Sequence, residues 1–247
     1  MPTIVHRFLG MGRGVMCTNY SPAKVERLRV LLGLGPPLDY PPETFPDYDS
    51  PLILINKDGK QDCVVANFGF APAEYARTGI PNPVNARAET VSTNRMFGKY
   101  WKACNLCIVP VDAIYEPCYE SGRNVRHKIW IKGESEFGIA GVWRTWLSPA
   151  GGPPRYAFAM LTLNADDHAI FKRMHKPTNP DGTPKEKRGV VMLTRDRWDD
   201  WLACRDPEEA RTFLVLHPAE LMEATPAPPE TKKSWMHKPP PASGDLF

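Results

Sequence analysis

Short apolar runs that never alternate regularly with helical stretches constrain this chain more than any other feature. Leu52–Ile55 and Cys63–Asn67 flank Lys57, Asp58, Gly59 and Lys60, a strong hairpin signature. Further strands are predicted from Cys107 to Glu116 and at His127–Lys132, Phe137–Trp143, Tyr156–Leu163, Val190–Leu193 and Phe213–Leu216, where β-branched and aromatic residues recur. Helices are fewer and shorter. Val25, Leu28, Leu31 and Leu32 follow Ser21-Pro22 at helical spacing and stop at Gly33. A polar and aromatic helical stretch ends near Ala103, another is predicted over Ala165–Lys172, and a helical turn over Arg197–Leu202. Strands that outnumber helices without alternating with them argue against a doubly wound parallel sheet. The expected fold is α+β: a single domain with a mostly antiparallel, partly closed, barrel-like sheet flanked by short helices.

The residues outside that domain read differently. Residues 1–15 contain two arginines but no continuous apolar region, so they form an N-terminal extension rather than a signal peptide. An upstream reading of the start codon, an expression artefact and a removable leader all fit. The domain is expected over 16–225, and 226–247 reads as a Pro-rich tail without periodicity. The 31 basic and 28 acidic residues leave a net charge of +3, too mild to mark a nucleic-acid binder in bulk, so any DNA contact must be local. Six cysteines in 247 residues without a secretory signal read as reduced thiols in the cytoplasm. No stretch approaches the roughly 20 apolar residues of a membrane span. The Cys104-x-x-Cys107 spacing suits a metal, but a structural zinc needs four ligands and no second pair has that spacing, so the pair reads as packing and no metal or cofactor is expected.

Cys17, directly after Met16, is the pivotal residue. As an internal residue it would be one more buried cysteine. With Met16 removed it would carry a free α-amine, partly unprotonated near neutrality, beside its thiol. Such a 1,2-aminothiol condenses with an aldehyde and closes a thiazolidine ring. Asn85, Arg87 and Glu89 alternate and would share a face in an extended segment, although a solvated strand face reads the same way. Glu116 ends a buried strand, where a surface turn glutamate is the plainer reading.

The ordered set Met16-Cys17, Phe68-Gly-Phe-Ala-Pro72, Asn85-Ala-Arg-Ala-Glu-Thr90, Cys107-Ile-Val-Pro110 leading to Tyr115-Glu116, Ala140-Gly-Val-Trp143 and Asn164 to Leu193 resembles the SOS-response-associated peptidase (SRAP) family. That family shields abasic sites in single-stranded DNA by covalent crosslinking, and the resemblance covers roughly Met16 to Pro226. It implies Cys17 as nucleophile, Glu116 as acid/base carboxylate and Asn85 orienting the adduct. It also implies Arg87 and Arg173 as phosphate ligands, and Phe68 and Phe70 as the wedge on which bases stack. The expected partner is single-stranded DNA bearing abasic sites, bound by a monomer. Two departures stand out. The family's catalytic histidine precedes the arginine in His-x-Arg-Met-Pro, whereas this chain reads Phe171-Lys-Arg-Met-His175-Lys-Pro177. His175 is the first substitute and His168, three residues before Phe171, the second. Pro117-Cys118 stands where an aromatic usually follows the glutamate. A peptidase that cuts before Cys17 or acts on other proteins, and an interaction protein that keeps the fold without the reaction, are the alternative functions.

Overall fold

Eleven strands, four short helices and connecting 3-10 turns are defined in the computed structural model, which describes residues 19–33, 40–70, 82–147 and 152–228. Cys17, the N-terminal extension and residues 229–247 of the tail lie outside the described residues. The chain runs through β1 (Tyr20–Pro22), α1 (Val25–Leu32), β2 (Asp49–Ile55), β3 (Gln61–Phe68), β4 (Asn85–Arg87), α2 (Gly98–Lys102) and β5 (Leu106–Cys118). It continues through β6 (Val125–Ile131), β7 (Phe137–Trp146), β8 (Arg155–Asn164), β9 (Arg188–Val190), β10 (Met192–Leu193), α3 (Trp198–Ala203), α4 (Pro207–Arg211) and β11 (Met222–Pro226).

Five strands close a ring: β7 pairs β8, β8 pairs β3, β3 pairs β2, β2 pairs β5, and β5 returns to β7. Every named strand pairing is antiparallel except β3–β8 and β4–β8, so the α+β, barrel-like expectation is met. Closure leaves the ring no edge to protect. The long β5 extends past the ring, and there β6 and β1 pair with it and β11 adds to β6.

Alternation along the ring strands sorts their apolar residues into two clusters. The inner one takes Leu52 and Leu54, Ala66 and Phe68, Val109 and Val111, Ile139, and Phe158 and Met160, one set from each wall strand. The outer one takes Ile53, Cys63, Ile108, Val142 and Ala159 and is covered by Leu28 of α1, Trp101 of α2, and Trp198 and Trp201 of α3. The period of two puts successive side chains on opposite faces, and the helices therefore mark which face is outside.

Several boundaries differ from the sequence-based expectation. The hairpin and α1 form as expected, with Gly33 at φ 64° donating its N–H to Arg29 O (2.9 Å), a left-handed stop that glycine accepts without a Cβ clash. The helix expected over Ala165–Lys172 is instead a series of turns ending in a 3-10 turn at Phe171–Arg173. His168 Nδ1 accepts the N–H groups of Ile170 and Phe171 at 3.3 and 3.2 Å, and a side chain that satisfies these donors displaces helical pairing. Val190–Leu193 divides into β9 on β8 and β10 on β7. Phe213–Leu216 is not a strand, because Phe213 still bonds back to Ala210 and packs its ring against Trp201. The last strand is β11, which falls within the expected domain except for Pro226, the first residue of the expected tail.

Candidate active site

Past Asp112, where the register of β5 against β1 shifts, Ile114, Glu116 and Cys118 alternate on the face that continues the inner cluster, which contains Ile114 and Cys118. On β6 the matching face carries His127, Ile129 and Ile131, and His127 stands directly opposite Glu116. Glu116 is 4% exposed, a carboxylate set at the end of an apolar wall. Burying such a group without charged or hydrogen-bonding partners is costly, so its neighbours carry information.

One neighbour is His175. Its Nε2 lies 2.7 Å from Glu116 Oε2, a close contact lying outside aligned hydrogen-bond geometry. The loop that delivers it follows the Phe171–Arg173 turn and is fastened to the end of β5 and the residues after it. Tyr119 N–H bonds to Arg173 O (3.2 Å), Met174 bridges Cys118, and His175 N–H bonds to Pro117 O (2.6 Å). His175 itself adopts φ 60°, an uncommon conformation for a residue with a Cβ. Lys187, 9% exposed, reaches the loop from the approach to β9 and donates to Met174 O (2.6 Å), His175 O (2.9 Å) and Lys176 O (3.1 Å). Burial pushes the Lys187 ammonium below its ordinary pKa, against the opposing pull of Asp166.

The two substitute histidines are separated by this arrangement. His168 accepts backbone N–H groups through Nδ1, which assigns the neutral Nε2–H tautomer, and Nε2 donates to His217 O (2.9 Å). It braces a turn while His175 faces Glu116. Phe171, at the family's histidine position, is 1% exposed inside the inner cluster, its ring 4.8 Å from that of His168.

Asn85 and Arg87 occupy β4 with Ala86 between them. Ala86 enters the outer cluster, which turns Asn85 and Arg87 to the opposite side, and Asn85 stands beside Met160 of the inner cluster. Arg87 is exposed and pairs with Glu186 at 2.7 Å. Glu186 also binds the buried Arg188 (2.8 Å), which is bidentate with Glu89 at 2.7 Å. Arg173 meets Glu120 at 3.4 Å at the surface.

Phe68 and Phe70 require a correction, since both are 0% exposed and neither offers a face to a base. Gly69 at φ 141° breaks the alternation, so the two rings enter different clusters. Phe68 stacks on Phe158 (5.4 Å) and meets Tyr20 edge-on, whereas Phe70 packs against Phe97 and Tyr100. Of the expected DNA-contacting residues, Arg87, Arg173, Phe68 and Phe70, only the two arginines keep solvent-accessible side chains. Partly buried aromatic surface instead comes from Trp143 and Tyr156, 5.7 Å apart and packed against the inner cluster. Trp143 carried part of the sequence resemblance without a role, but Tyr156 had no sequence signal beyond its strand.

The approach of the amino terminus is visible from Asn19 onward. Its carbonyl accepts Tyr115 N–H at 2.9 Å, and its side chain accepts from Arg126 Nη2 at 2.8 Å. Arg126 lies over the Tyr115 ring, 3.5 Å from its centroid, and also binds Glu43. The chain therefore enters β1 alongside the residue that precedes Glu116.

Comparison with known proteins agrees with the fold. The family model described as SOS response associated peptidase (SRAP) matches residues 33–234. The abasic site processing protein YoqW of Bacillus subtilis (strain 168) is 28% identical over 178 residues, covering 70% of this chain and 72% of that protein. The abasic site processing protein YoaM of the same organism is also 28% identical over 178 residues, covering 70% and 71%. A crystal structure of a Bordetella bronchiseptica protein superposes with TM-score 0.75 at 30% identity over 85% of this chain and 99% of that one. A Bacteroides thetaiotaomicron protein shares the fold at TM-score 0.65 and 21% identity, over 84% and 90%.

Proposed function

Because the chain belongs to the SOS response-associated peptidase (SRAP) family, we propose that it processes abasic sites in DNA, trapping the exposed sugar aldehyde through Cys17 as a DNA–protein crosslink. The observation that carries this reading is the buried contact between Glu116 and His175, since the chain keeps a histidine against the carboxylate although the family's histidine position is Phe171. Cys17 lies two residues before Asn19, whose carbonyl is bonded to Tyr115, and two residues span at most about 7 Å. Asn19, the first described residue, is thus bonded to the residue that precedes Glu116.

The chemistry follows from these groups. The Cys17 amine adds to the aldehyde carbon to give a carbinolamine. Glu116 in its acid form protonates the departing hydroxyl, water leaves, and the N–H proton of the resulting iminium passes back to the Glu116 carboxylate to leave an imine. The Cys17 thiol adds to the imine carbon while its proton passes to the nitrogen, closing the thiazolidine with net loss of one water. His175 exchanges protons with Glu116 between these steps, and Asn85 orients the adduct. Arg87 and Arg173 hold the flanking phosphates. Their carboxylate partners are solvent-accessible, and exposed ion pairs contribute only about 0–1 kcal/mol, so a phosphate can replace them. Trp143 and Tyr156 take the stacking role that Phe68 and Phe70 cannot.

The amine must be free. An amide nitrogen delocalised into the peptide plane is not nucleophilic, so the active form begins at Cys17, after loss of residues 1–16. The test mixes protein of verified intact mass with single-stranded DNA carrying an abasic site and scores a heat-stable shifted band. Cys17→Ala and undamaged DNA should give no band. A band of equal intensity and heat stability from Cys17→Ala, or from chain that retains residues 1–16, overturns the mechanism.

A further inference from the structure

We propose that Lys187 is a positioning residue for the reaction: by gathering the carbonyls of Met174, His175 and Lys176 onto one buried ammonium, it sets the loop conformation that holds His175 against Glu116. This rests on the abasic-site reading above. An ammonium has three donors and no acceptor, and here all three find carbonyl oxygens of consecutive residues. Consecutive carbonyls converge on one point only where the backbone turns sharply, and the turn is His175 at φ 60°. On its other side the same residue donates its N–H to Pro117 O, one residue beyond Glu116. His175 is thus gripped at both backbone groups, by the β5 end through its N–H and by Lys187 through its C=O, with its imidazole against the carboxylate. Hydrogen bonds to a charged donor are the stronger kind, and a buried ammonium has no water to turn to instead. Lys187 is itself anchored, as its N–H bonds to Asp166 Oδ1 at 2.7 Å.

A lysine that only satisfied loop carbonyls would affect folding and leave the chemistry of correctly folded molecules alone. A double-mutant cycle separates the two roles. Single-turnover crosslinking at saturating abasic single-stranded DNA is measured for wild type, Lys187→Met, His175→Ala and the double variant, with affinity for undamaged strand and thermal melting alongside. Misplacement of a proton-transfer group should slow Lys187→Met about tenfold or more. Affinity should stay within about twofold, and the double variant should be no more than about twofold slower than His175→Ala, because both changes act through one group. Independent, multiplying losses, or a Lys187→Met rate equal to wild type, overturn the proposal. If Lys187→Met fails to melt cooperatively, Lys187→Gln, which keeps two donors, carries the same cycle. A second readout does not need the reaction. The imidazole NMR signals of His175, assigned by their loss in His175→Ala, should move in the Lys187 variant, and an unmoved signal overturns the proposal. If wild type traps no abasic DNA, the functional reading fails while the NMR comparison still decides the role of Lys187.

Discussion

The outer and inner faces of the same barrel wall are built to opposite ends. The outer face is sealed by Trp101, Trp198 and Trp201, all 0% exposed, and the indole N–H groups of Trp198 and Trp201 donate to Leu193 O (3.1 Å) and Cys107 O (2.9 Å). Aromatic burial with its polar atom satisfied is a stabilising arrangement. The inner face is apolar through the ring but ends, along the extension of β5, in Glu116, His127 and the His175 loop held by Lys187. Charged groups shielded from water do not stabilise a fold more than well-packed apolar residues would. Under the proposed function, the contrast puts stability on the outer face and chemistry on the rim of the inner one.

The largest effect should come from Glu116→Gln. It removes the proton donor and should slow crosslinking about 100-fold to 10,000-fold, the usual range for a general acid, with melting temperature no lower than wild type. A rate within a few-fold of wild type would remove Glu116 from the mechanism. Trp201→Ala on the other face should cost about 3–5 kcal/mol of stability, read by denaturant unfolding, and leave the rate per folded molecule unchanged. A slower rate per folded molecule would break the division of labour.

Two glycines sharpen it further. A Cβ on Gly138 would meet Trp198 Nε1 at 2.6 Å on the outer face, whereas one on Gly189 would meet Phe171 Cδ2 at 2.5 Å behind the His175 loop. Each alanine variant should lose about 1–3 kcal/mol through overpacking, but only Gly189→Ala should also slow crosslinking. Equal kinetic effects from both would show that the loop is insensitive to its packing.

The smallest effect concerns the charge network beside β4. Burial pushes Glu89 and Glu186 up, but the Arg188 hydrogen bonds and charge, with Arg87 added at Glu186, outweigh it and hold both below their ordinary 4.5. Since both folded values are depressed, their contribution is fully present above about pH 4.5 and is lost as pH falls through the folded values. Both carboxylates are partly exposed, and screening should keep the effect below about 1 kcal/mol each. Urea midpoints between pH 6 and 3 should therefore fall less steeply in Glu89→Gln than in wild type; parallel curves would deny the network this role.

Much of this is legible in the sequence alone. Glu116 could be placed because a continuous apolar strand led straight to it, and Asn85 and Arg87 because alternation put them on one side of Ala86. His175 could be named only as a first choice over His168, since both lie near Phe171 in sequence. What separated them was the direction of a loop fixed by Pro117, Cys118 and Lys187, residues 10 or more positions away in the chain. Phe68 and Phe70 misled because a period of two assumes an unbroken strand, and Gly69 ends it. Lys187 gave no signal at all, as a lysine between Glu186 and Arg188 reads as solvated charge.

By itself, then, the sequence determined the hairpin, the predominance of antiparallel pairing and the carboxylate at the strand's end. These depend on local periodicity and turn chemistry, which a chain displays in order. The tertiary structure alone decided which face of each strand is covered, which histidine meets Glu116 and why a charged lysine is buried. Those outcomes depend on what packs across distances that periodicity does not encode: ring closure through β5 and β7, the helices laid over one face, and a loop bonded back to the strand it serves.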